Sequence, residues 1–195
     1  MSQPLDQLNH ETLSHVAIGA NDLADIRLLL ERVKRALAEL EMNDVIIRKT
    51  SKFYKTPCFP AGAGPDYVNA AVTLSTTLPP TQLLAHLHKI EADFGRERIQ
   101  RWGVRSLDLD LLSYGDQVLP DVATYECWRA LEVEHQKLRA PDQLVLPHPR
   151  MQDRAFVLLP LADIAPDWKH PVLGQTVREM LEELPSSAKM GVVPL

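Results

Sequence analysis

The chain has 195 residues, of which 45% are hydrophobic and 24% are charged, and its formal net charge is -5 at pH 7. This size and hydrophobic content predict one domain with a single core. The acidic balance argues against a nucleic-acid partner or an anionic membrane, because both require a basic face. No apolar run approaches the length of a membrane span and the N-terminus lacks a signal-peptide pattern, so we expect a soluble, cytoplasmic protein. Cys58 and Cys127 predict free thiols rather than a disulfide or a zinc site.

The first part of the chain carries strand, helix and strand signals in turn. Residues 1–13 are polar and aperiodic, which predicts a loose tail. The apolar run Ser14–Ala20 predicts a strand, and Asn21-Asp22 then predicts the N-cap of a helix. The stripe of that helix has spacings of three and four, at Leu23, Ile26, Leu30, Val33, Leu37 and Leu40. β-branched and aromatic residues predict a strand from Val45 towards Tyr54.

The middle of the chain continues this alternation. Prolines and glycines between residues 57 and 65 predict a loop. Tyr67–Thr77 alternates with period two and predicts a strand with one face in the core. Pro79-Pro80 predicts the first turn of a helix with an apolar stripe at Leu83, Leu84, Leu87, Ile90 and Phe94. With a further strand through residues 107–112, the order is βαββαβ, which predicts an α+β, ferredoxin-like fold with two helices on one face of an antiparallel sheet.

Beyond Gly115-Asp116 the pattern is less compact. Residues 121–142 end at a proline and predict a short helical insertion. Residues 150–161 predict a short helix ending near Pro160, and residues 175–184 predict a last amphipathic helix. We expect a single domain over residues 14–184, followed by a tail at 185–195.

Two acidic residues alternate with leucines in the last predicted strand of the βαββαβ unit. The period of two puts Leu107, Leu109 and Leu111 on one face, and it puts Asp108 and Asp110 together on the other. Adjacent carboxylates repel, and Mg²⁺, which prefers oxygen ligands, would allow both to remain ionised. Taken alone, an Asp-x-Asp pair is more often a solvated face.

An arginine-rich segment directly precedes the acidic pair. The segment contains Arg96, Arg98, Arg101 and Arg105. The planar guanidinium group of each can bind two phosphate oxygens at once. Gly95 and Gly103 bracket the segment with the backbone freedom typical of a loop that closes over a substrate. Together the two features predict a site for a polyphosphate and magnesium.

The motif Arg-Trp-Gly-x-Arg-x-Leu-Asp-Leu-Asp-Leu-Leu at residues 101–112 resembles the signature of the 6-hydroxymethyl-7,8-dihydropterin pyrophosphokinase family. Similar stretches follow the family's order at Ala17–Asn21, Thr56-Pro57, Pro65–Ala71, Pro147-His148 and Arg154–Phe156. The resemblance implies transfer of a diphosphate group from ATP to the hydroxymethyl group of the pterin, giving AMP, in folate biosynthesis. It also implies an α+β sandwich.

The same resemblance assigns roles to single residues. Asp108 and Asp110 would bind two Mg²⁺ ions, and Arg96 and Arg105 would act in catalysis. The implied ATP contacts are Glu91, Arg98, Arg101, Trp102, His148 and Arg154. The implied pterin pocket has an aromatic clamp formed by Tyr67 and Phe156, and the Asn69 amide contacts the ring edge. Groups around Thr56, Pro57 and Phe59 complete the pocket.

The chain departs from the family's usual pattern in the arginine loop, where only Ile99 and Gln100 separate Arg98 from Arg101, one residue fewer than in the commoner loop. Two alternatives stay open. One is a catalytically silent relative that binds pterin or nucleotide, and the other is a metal-dependent nuclease, against which the acidic balance argues. We expect small-molecule substrates, no nucleic-acid or membrane partner, and a monomer.

Overall fold

The structure, a computed structural model, describes residues 11–21, 25–58, 64–95, 106–132, 135 and 139–195. The strands are β1 (Thr12–Ala20), β2 (Val45–Thr50), β3 (Tyr54–Thr56), β4 (Tyr67–Thr76), β5 (Asp108–Tyr114) and β6 (Val193–Pro194). The helices are α1 (Ile26–Leu40), α2 (Pro80–Asp93), α3 (Val122–Arg129), α4 (Ala155–Ile164), α5 (Val177–Glu183) and α6 (Ser186–Lys189), and a 3₁₀ turn spans Met151–Asp153. None of the helices in these ranges has the length and apolar character needed to cross a bilayer.

The strands form one antiparallel sheet in the order β5-β1-β4-β3-β6, with β2 also paired to β4. β2 pairs with residues 72–76 of β4 and β3 pairs with residues 67–69, so the single strand predicted here is interrupted. Ser51 occupies the break, where its Oγ accepts a hydrogen bond of 2.9 Å from the Ala71 backbone N–H. Counting β2 and β3 together, the topology is the predicted βαββαβ order, which confirms the α+β fold.

Helices α1 and α2 pack on one face of the sheet, as the two apolar stripes predict. Their buried residues contact the inward-facing residues of β1, β4 and β5, among them Val16, Ile18, Val68, Val72, Leu74, Leu109 and Leu111. The predicted start of α1 is wrong. The helix begins at Ile26, and its N-cap is Asp25, whose carboxylate accepts a hydrogen bond of 2.8 Å from the Arg27 backbone N–H. Asn21 therefore lies before the helix, and Asp22 lies outside the described residues.

The opposite face of the sheet is also covered, so the prediction that only one face of β4 is core is wrong. Helices α4 and α5 and the preceding 3₁₀ turn pack there against Ala71 and Leu112, through Met151 of the turn and Val157, Leu158, Leu161, Val177 and Met180 of the helices. Helix α4 continues through Pro160 to Ile164, beyond its predicted end. Pro160 removes one backbone donor, but the flanking Leu158 and Leu161 are fully buried, and their burial favours the continued helix.

Two C-terminal features lie beyond the βαββαβ core. Helix α3 falls within the predicted insertion, and Tyr125 anchors it, because this side chain is fully buried and its hydroxyl lies 3.0 Å from Nε2 of His170. The segment expected to be a tail adds strand β6 to the free edge of β3. Its last residue is tied as well, since the Leu195 N–H donates to the Phe53 carbonyl at 2.9 Å.

Candidate functional site

The candidate site is built on residues that lie opposite one another across three strands. Gly19 of β1 pairs with Asn69 of β4 on one side and with Asp108 of β5 on the other. The next row with the same orientation contains Ala71, Ala17 and Asp110. Opposed residues of an antiparallel pair project from the same face, so the acidic pair and the amide face the same side, about 10 Å apart across two strand spacings.

The absence of a side chain at Gly19 leaves room for the Asn69 amide. A Cβ atom built on Gly19 would lie 2.5 Å from Oδ1 of Asn69, which shows that the amide lies directly over the β1 backbone. The amide nitrogen donates a hydrogen bond of 2.6 Å to Oγ1 of Thr56 on β3. Asn69 and Thr56 are both buried, so the β1 backbone on one side and the Thr56 hydroxyl on the other fix the orientation of the amide.

Arg154 connects the acidic pair to an exposed aromatic ring. Its Nη1 lies 3.7 Å from Oδ2 of Asp110, and its guanidinium carbon lies 5.7 Å from the centre of the Phe156 ring. Arg154 is the N-cap residue of α4, and Phe156 is in the first turn of that helix. Phe156 is 41% exposed, so part of this side chain is accessible to a ligand.

His148 lies beside this cluster and is neutral at physiological pH. Loss of hydration, assisted by the Arg154 guanidinium, lowers the pKa of His148 to about 3, although the nearby Asp108 carboxylate opposes the shift. Its backbone N–H donates to the Leu112 carbonyl at 2.8 Å, and its Nδ1 accepts from the Arg150 N–H at 3.1 Å. The Nδ1 contact leaves the ring proton on Nε2, which can donate to a ligand oxygen.

Glu91 supports the strand that carries both aspartates. It is 1% exposed, and its Oε1 accepts a hydrogen bond of 2.8 Å from the backbone N–H of Leu109, between Asp108 and Asp110. The structure therefore places Glu91 behind the acidic pair, in contact with the backbone of β5. The contact between Glu91 and ATP that the sequence suggested stays a prediction.

Replacing Glu91 with alanine should destabilise the protein, because the Leu109 N–H would lose its acceptor in a buried position. We expect a loss of about 1–3 kcal/mol in the free energy of unfolding. For a chain of this size each kcal/mol lowers the melting temperature by about 2–4 °C, measurable by circular dichroism. Glu91→Gln is the matched control, because it keeps an oxygen acceptor and should be more stable than Glu91→Ala. Equal losses in the two variants would contradict the assigned role.

The structure brings together two groups of the predicted site residues. Asp108, Asp110, His148 and Arg154 lie at the β5 side, and Thr56, Tyr67 and Asn69 lie at the β3–β4 side. Six predicted residues lie outside the described ranges, namely Phe59, Arg96, Arg98, Arg101, Trp102 and Arg105. Gly19 belongs to the Ala17–Asn21 motif, but its position between Asp108 and Asn69 follows from strand register and not from residue type.

A separate cavity of about 510 Å³ lies at the far end of α4, where Ile164 and Ala165 line it, and it contains none of the predicted site residues. Its lining also includes His15 and Lys49. The Lys49 ammonium donates to the Ile164 carbonyl at 3.0 Å. Burial, assisted by the Lys49 charge, lowers the pKa of His15 to about 4, so this imidazole is a neutral, satisfied group.

Known proteins similar to this chain are pterin pyrophosphokinases. The model of the 7,8-dihydro-6-hydroxymethylpterin-pyrophosphokinase (HPPK) family matches residues 15–166. A 2-amino-4-hydroxy-6-hydroxymethyldihydropteridine pyrophosphokinase of Synechocystis is 37% identical over 180 residues, which cover 92% of this chain and 80% of the relative. The pyrophosphokinase of the same name from Pseudomonas aeruginosa is 37% identical over 173 residues, with 88% and 91% covered.

Solved structures agree on the fold. The wild-type HPPK-DHPS of Plasmodium falciparum, determined with pterin and p-hydroxybenzoate, superposes with a TM-score of 0.64 at 18% identity, and the match covers 91% of this chain and 44% of that one. The chain is therefore of the pyrophosphokinase class. It belongs to the 7,8-dihydro-6-hydroxymethylpterin-pyrophosphokinase family, which confirms the resemblance seen in its motifs.

Proposed function

We propose that the protein catalyses the ATP-dependent transfer of a pyrophosphoryl group to the hydroxymethyl group of 6-hydroxymethyl-7,8-dihydropterin, releasing AMP, in folate biosynthesis. The observation that carries the proposal is the row formed by Asp108, Gly19 and Asn69 on one face of the sheet. It sets a pair of acids, suited to a metal-bound polyphosphate, beside a buried amide suited to a heterocycle. Membership of the family supports the same reaction.

The pterin would bind at the β3–β4 side of the row. A flat heteroaromatic ring is best held by aromatic side chains on its faces and by a fixed polar group at its edge. Asn69 offers such a group, because Thr56 accepts one of its amide protons and leaves the rest of the amide for the ligand. Tyr67 projects from the same face two residues before Asn69, and the exposed ring of Phe156 would supply the second aromatic wall.

Asp108 and Asp110 fit a magnesium site. Mg²⁺ in nucleotide sites is usually bound by one or two carboxylates, with substrate phosphates and water completing an octahedron. In the described ranges no group of three or more histidine, cysteine or acidic side chains could enclose a metal. Two carboxylates leave coordination positions open, so the acidic pair suits a metal shared with a ligand. We assign two Mg²⁺ ions to this pair, and when bound they supply charge neutralisation of the phosphates.

The protein's own groups would position the reactants. Arg154 is a fixed cation beside Asp110, and neutral His148 can donate a hydrogen bond, so both suit phosphate oxygens of ATP. Arg96 and Arg105 are assigned to the charge that develops on the transferred group, with Arg98, Arg101 and Trp102 in a loop that closes over ATP. Phosphoryl transfer depends mainly on such positioning and charge neutralisation.

The reaction can be tested by incubating the protein with ATP, MgCl₂ and the hydroxymethyl pterin and separating the nucleotides by ion-exchange chromatography. We expect AMP and pterin diphosphate in equal amounts, and no AMP when the pterin is omitted or EDTA is added. Formation of ADP, or no consumption of ATP, would contradict the proposal. Pterin binding without AMP would indicate the catalytically silent alternative, and cleavage of an oligonucleotide would indicate the nuclease.

The net negative charge of the chain also supports a protein that acts without a nucleic-acid partner. We assign it to the cytoplasm as a monomer acting on small molecules. Size-exclusion chromatography with light scattering should give a mass near 21.9 kDa. A mass of twice that value would contradict the monomer.

A further inference from the structure

The last residues of the chain pack against the strand that supports the pterin side of the site. In β6, Val193 pairs with Lys55 and Pro194 pairs with Tyr54, so β6 is the outer neighbour of β3. The Leu195 N–H extends the contact with its 2.9 Å hydrogen bond to the Phe53 carbonyl. β3 has only three residues, and its other neighbour is the first part of β4.

The position of β3 matters because Thr56 is its last residue. Oγ1 of Thr56 accepts the 2.6 Å hydrogen bond that orients the Asn69 amide, and Pro57 follows directly. A three-residue strand held on one edge has few backbone hydrogen bonds and opens readily. Pairing with β6 on the second edge therefore restrains Thr56, and through it Asn69.

Gly191 brings the chain into β6 by passing directly over the Pro57 ring. Its φ angle is +79°, in the left-handed region that favours glycine. A Cβ atom built there would lie 3.1 Å from Cγ and 3.3 Å from Cδ of Pro57. Glycine at this position is therefore favoured both by the backbone conformation and by the close approach to Pro57.

We propose that Gly191 and β6 are positioning elements for the pterin pocket, which hold β3, and with it Thr56, Pro57 and the Asn69 amide, in the binding arrangement. The inference rests on the proposed function, since it takes these residues to bind the pterin. The acidic pair lies on β5, at the opposite edge of the sheet order, and Arg154 contacts it from α4. Disturbing β6 should therefore weaken pterin binding selectively and leave ATP binding unchanged.

The test is Gly191→Ala in the full-length protein, assayed by AMP release. We expect the KM for the pterin to rise about fivefold to tenfold, while the KM for ATP and kcat stay within about twofold of wild type. Gly174→Ala is the matched control. Gly174 has a φ angle of +69° and lies between α4 and α5, where Lys169 Cε, at 3.9 Å, is the only atom of the described residues that a Cβ would approach within 4 Å. It should lose a similar amount of thermal stability without a change in either KM.

A double-mutant cycle separates the contact with Pro57 from backbone strain. Pro57→Ala removes the Cγ and Cδ atoms that the new methyl group would meet, so Gly191→Ala should raise the pterin KM less in that background. A wild-type pterin KM in Gly191→Ala, or equal rises in the KM for pterin and for ATP, would overturn the inference.

Direct binding distinguishes this outcome from failure of the proposed function. Titration with the fluorescent pterin gives a Kd for wild type and for Gly191→Ala whether or not AMP is formed. A wild-type protein that forms no AMP contradicts the proposed function. Equal pterin Kd values for the two proteins, or no pterin binding by wild type, overturn the positioning role.

Discussion

Replacing Asp110 with asparagine should lower kcat for AMP release about 1000-fold or more and leave the fold intact. Asparagine keeps the shape of the side chain but removes the negative charge on which the assigned magnesium site depends, and metal-derived charge stabilisation is worth several kcal/mol. The effect on stability should be small. The Asp110–Arg154 pair is separated by 3.7 Å with both side chains about one-third exposed, and such pairs contribute about 0–1 kcal/mol. Steady-state kinetics and a melting curve measure the two quantities.

Asp116→Asn is the matched control for this prediction. Asp116 is an exposed acid in the turn that follows β5, so the substitution removes the same charge at a distance from the acidic pair. Its kcat and its magnesium dependence should equal those of wild type. For Asp110→Asn, residual activity should require a higher MgCl₂ concentration. Activity within tenfold of wild type at the same MgCl₂ concentration would remove the acidic pair from the mechanism.

The local patterns predicted β5 and its two faces. Alternation alone placed Leu109 and Leu111 in the core, and both are buried there, while Asp108 and Asp110 face the other way. Residues 107–111 of this segment have one apolar and one polar face, and only one orientation buries the leucines, so sequence is sufficient for such a prediction. The two apolar helix stripes were equally informative, because each has one face that must be buried.

Features that depend on distant segments were not predictable in this way. Both faces of β4 are buried because α4, more than 80 residues further along the chain, packs on Ala71, and alternation within β4 carries no sign of that contact. The start of α1 was misplaced for a local reason, since Asn21 and Asp25 are both good N-cap residues by type. Only the structure shows which one accepts the first-turn hydrogen bond.

The candidate site also combines features that local sequence predicts with features that depend on distant segments. The sequence identifies Asp108 and Asn69 as candidates by type and motif, but their alignment on either side of Gly19 depends on the register of two strand pairs. Register follows from the packing of the whole sheet and is not encoded in a short motif. The hydrogen bond from the Leu109 N–H to Glu91 likewise depends on how α2 packs against β5, and the sequence motif gave no sign of it.

Replacing Gly19 with alanine should raise the KM for the pterin about 100-fold with much smaller changes in the KM for ATP. The new Cβ would lie 2.5 Å from Oδ1 of Asn69, a distance that forces the amide to move. Moving it breaks the hydrogen bond to Thr56 and leaves buried polar atoms unpaired, which costs about 1–3 kcal/mol and removes the group assigned to the ring edge. The three described atoms nearest to that Cβ belong to Asn69 and the Val68 carbonyl, and none belongs to Asp108, so Asp108 should keep its position.

Asn69→Ala supplies the control, because it removes the atoms that the methyl group would meet. If Gly19→Ala acts by displacing the amide, the two substitutions are not additive, and the double variant should bind the pterin no more weakly than Asn69→Ala alone. If the methyl group instead disturbs the pairing of β1 with β5, the double variant should lose activity beyond either single one, with a rise in the KM for ATP. A wild-type pterin KM in Gly19→Ala would show that the ring edge is read by groups other than the Asn69 amide.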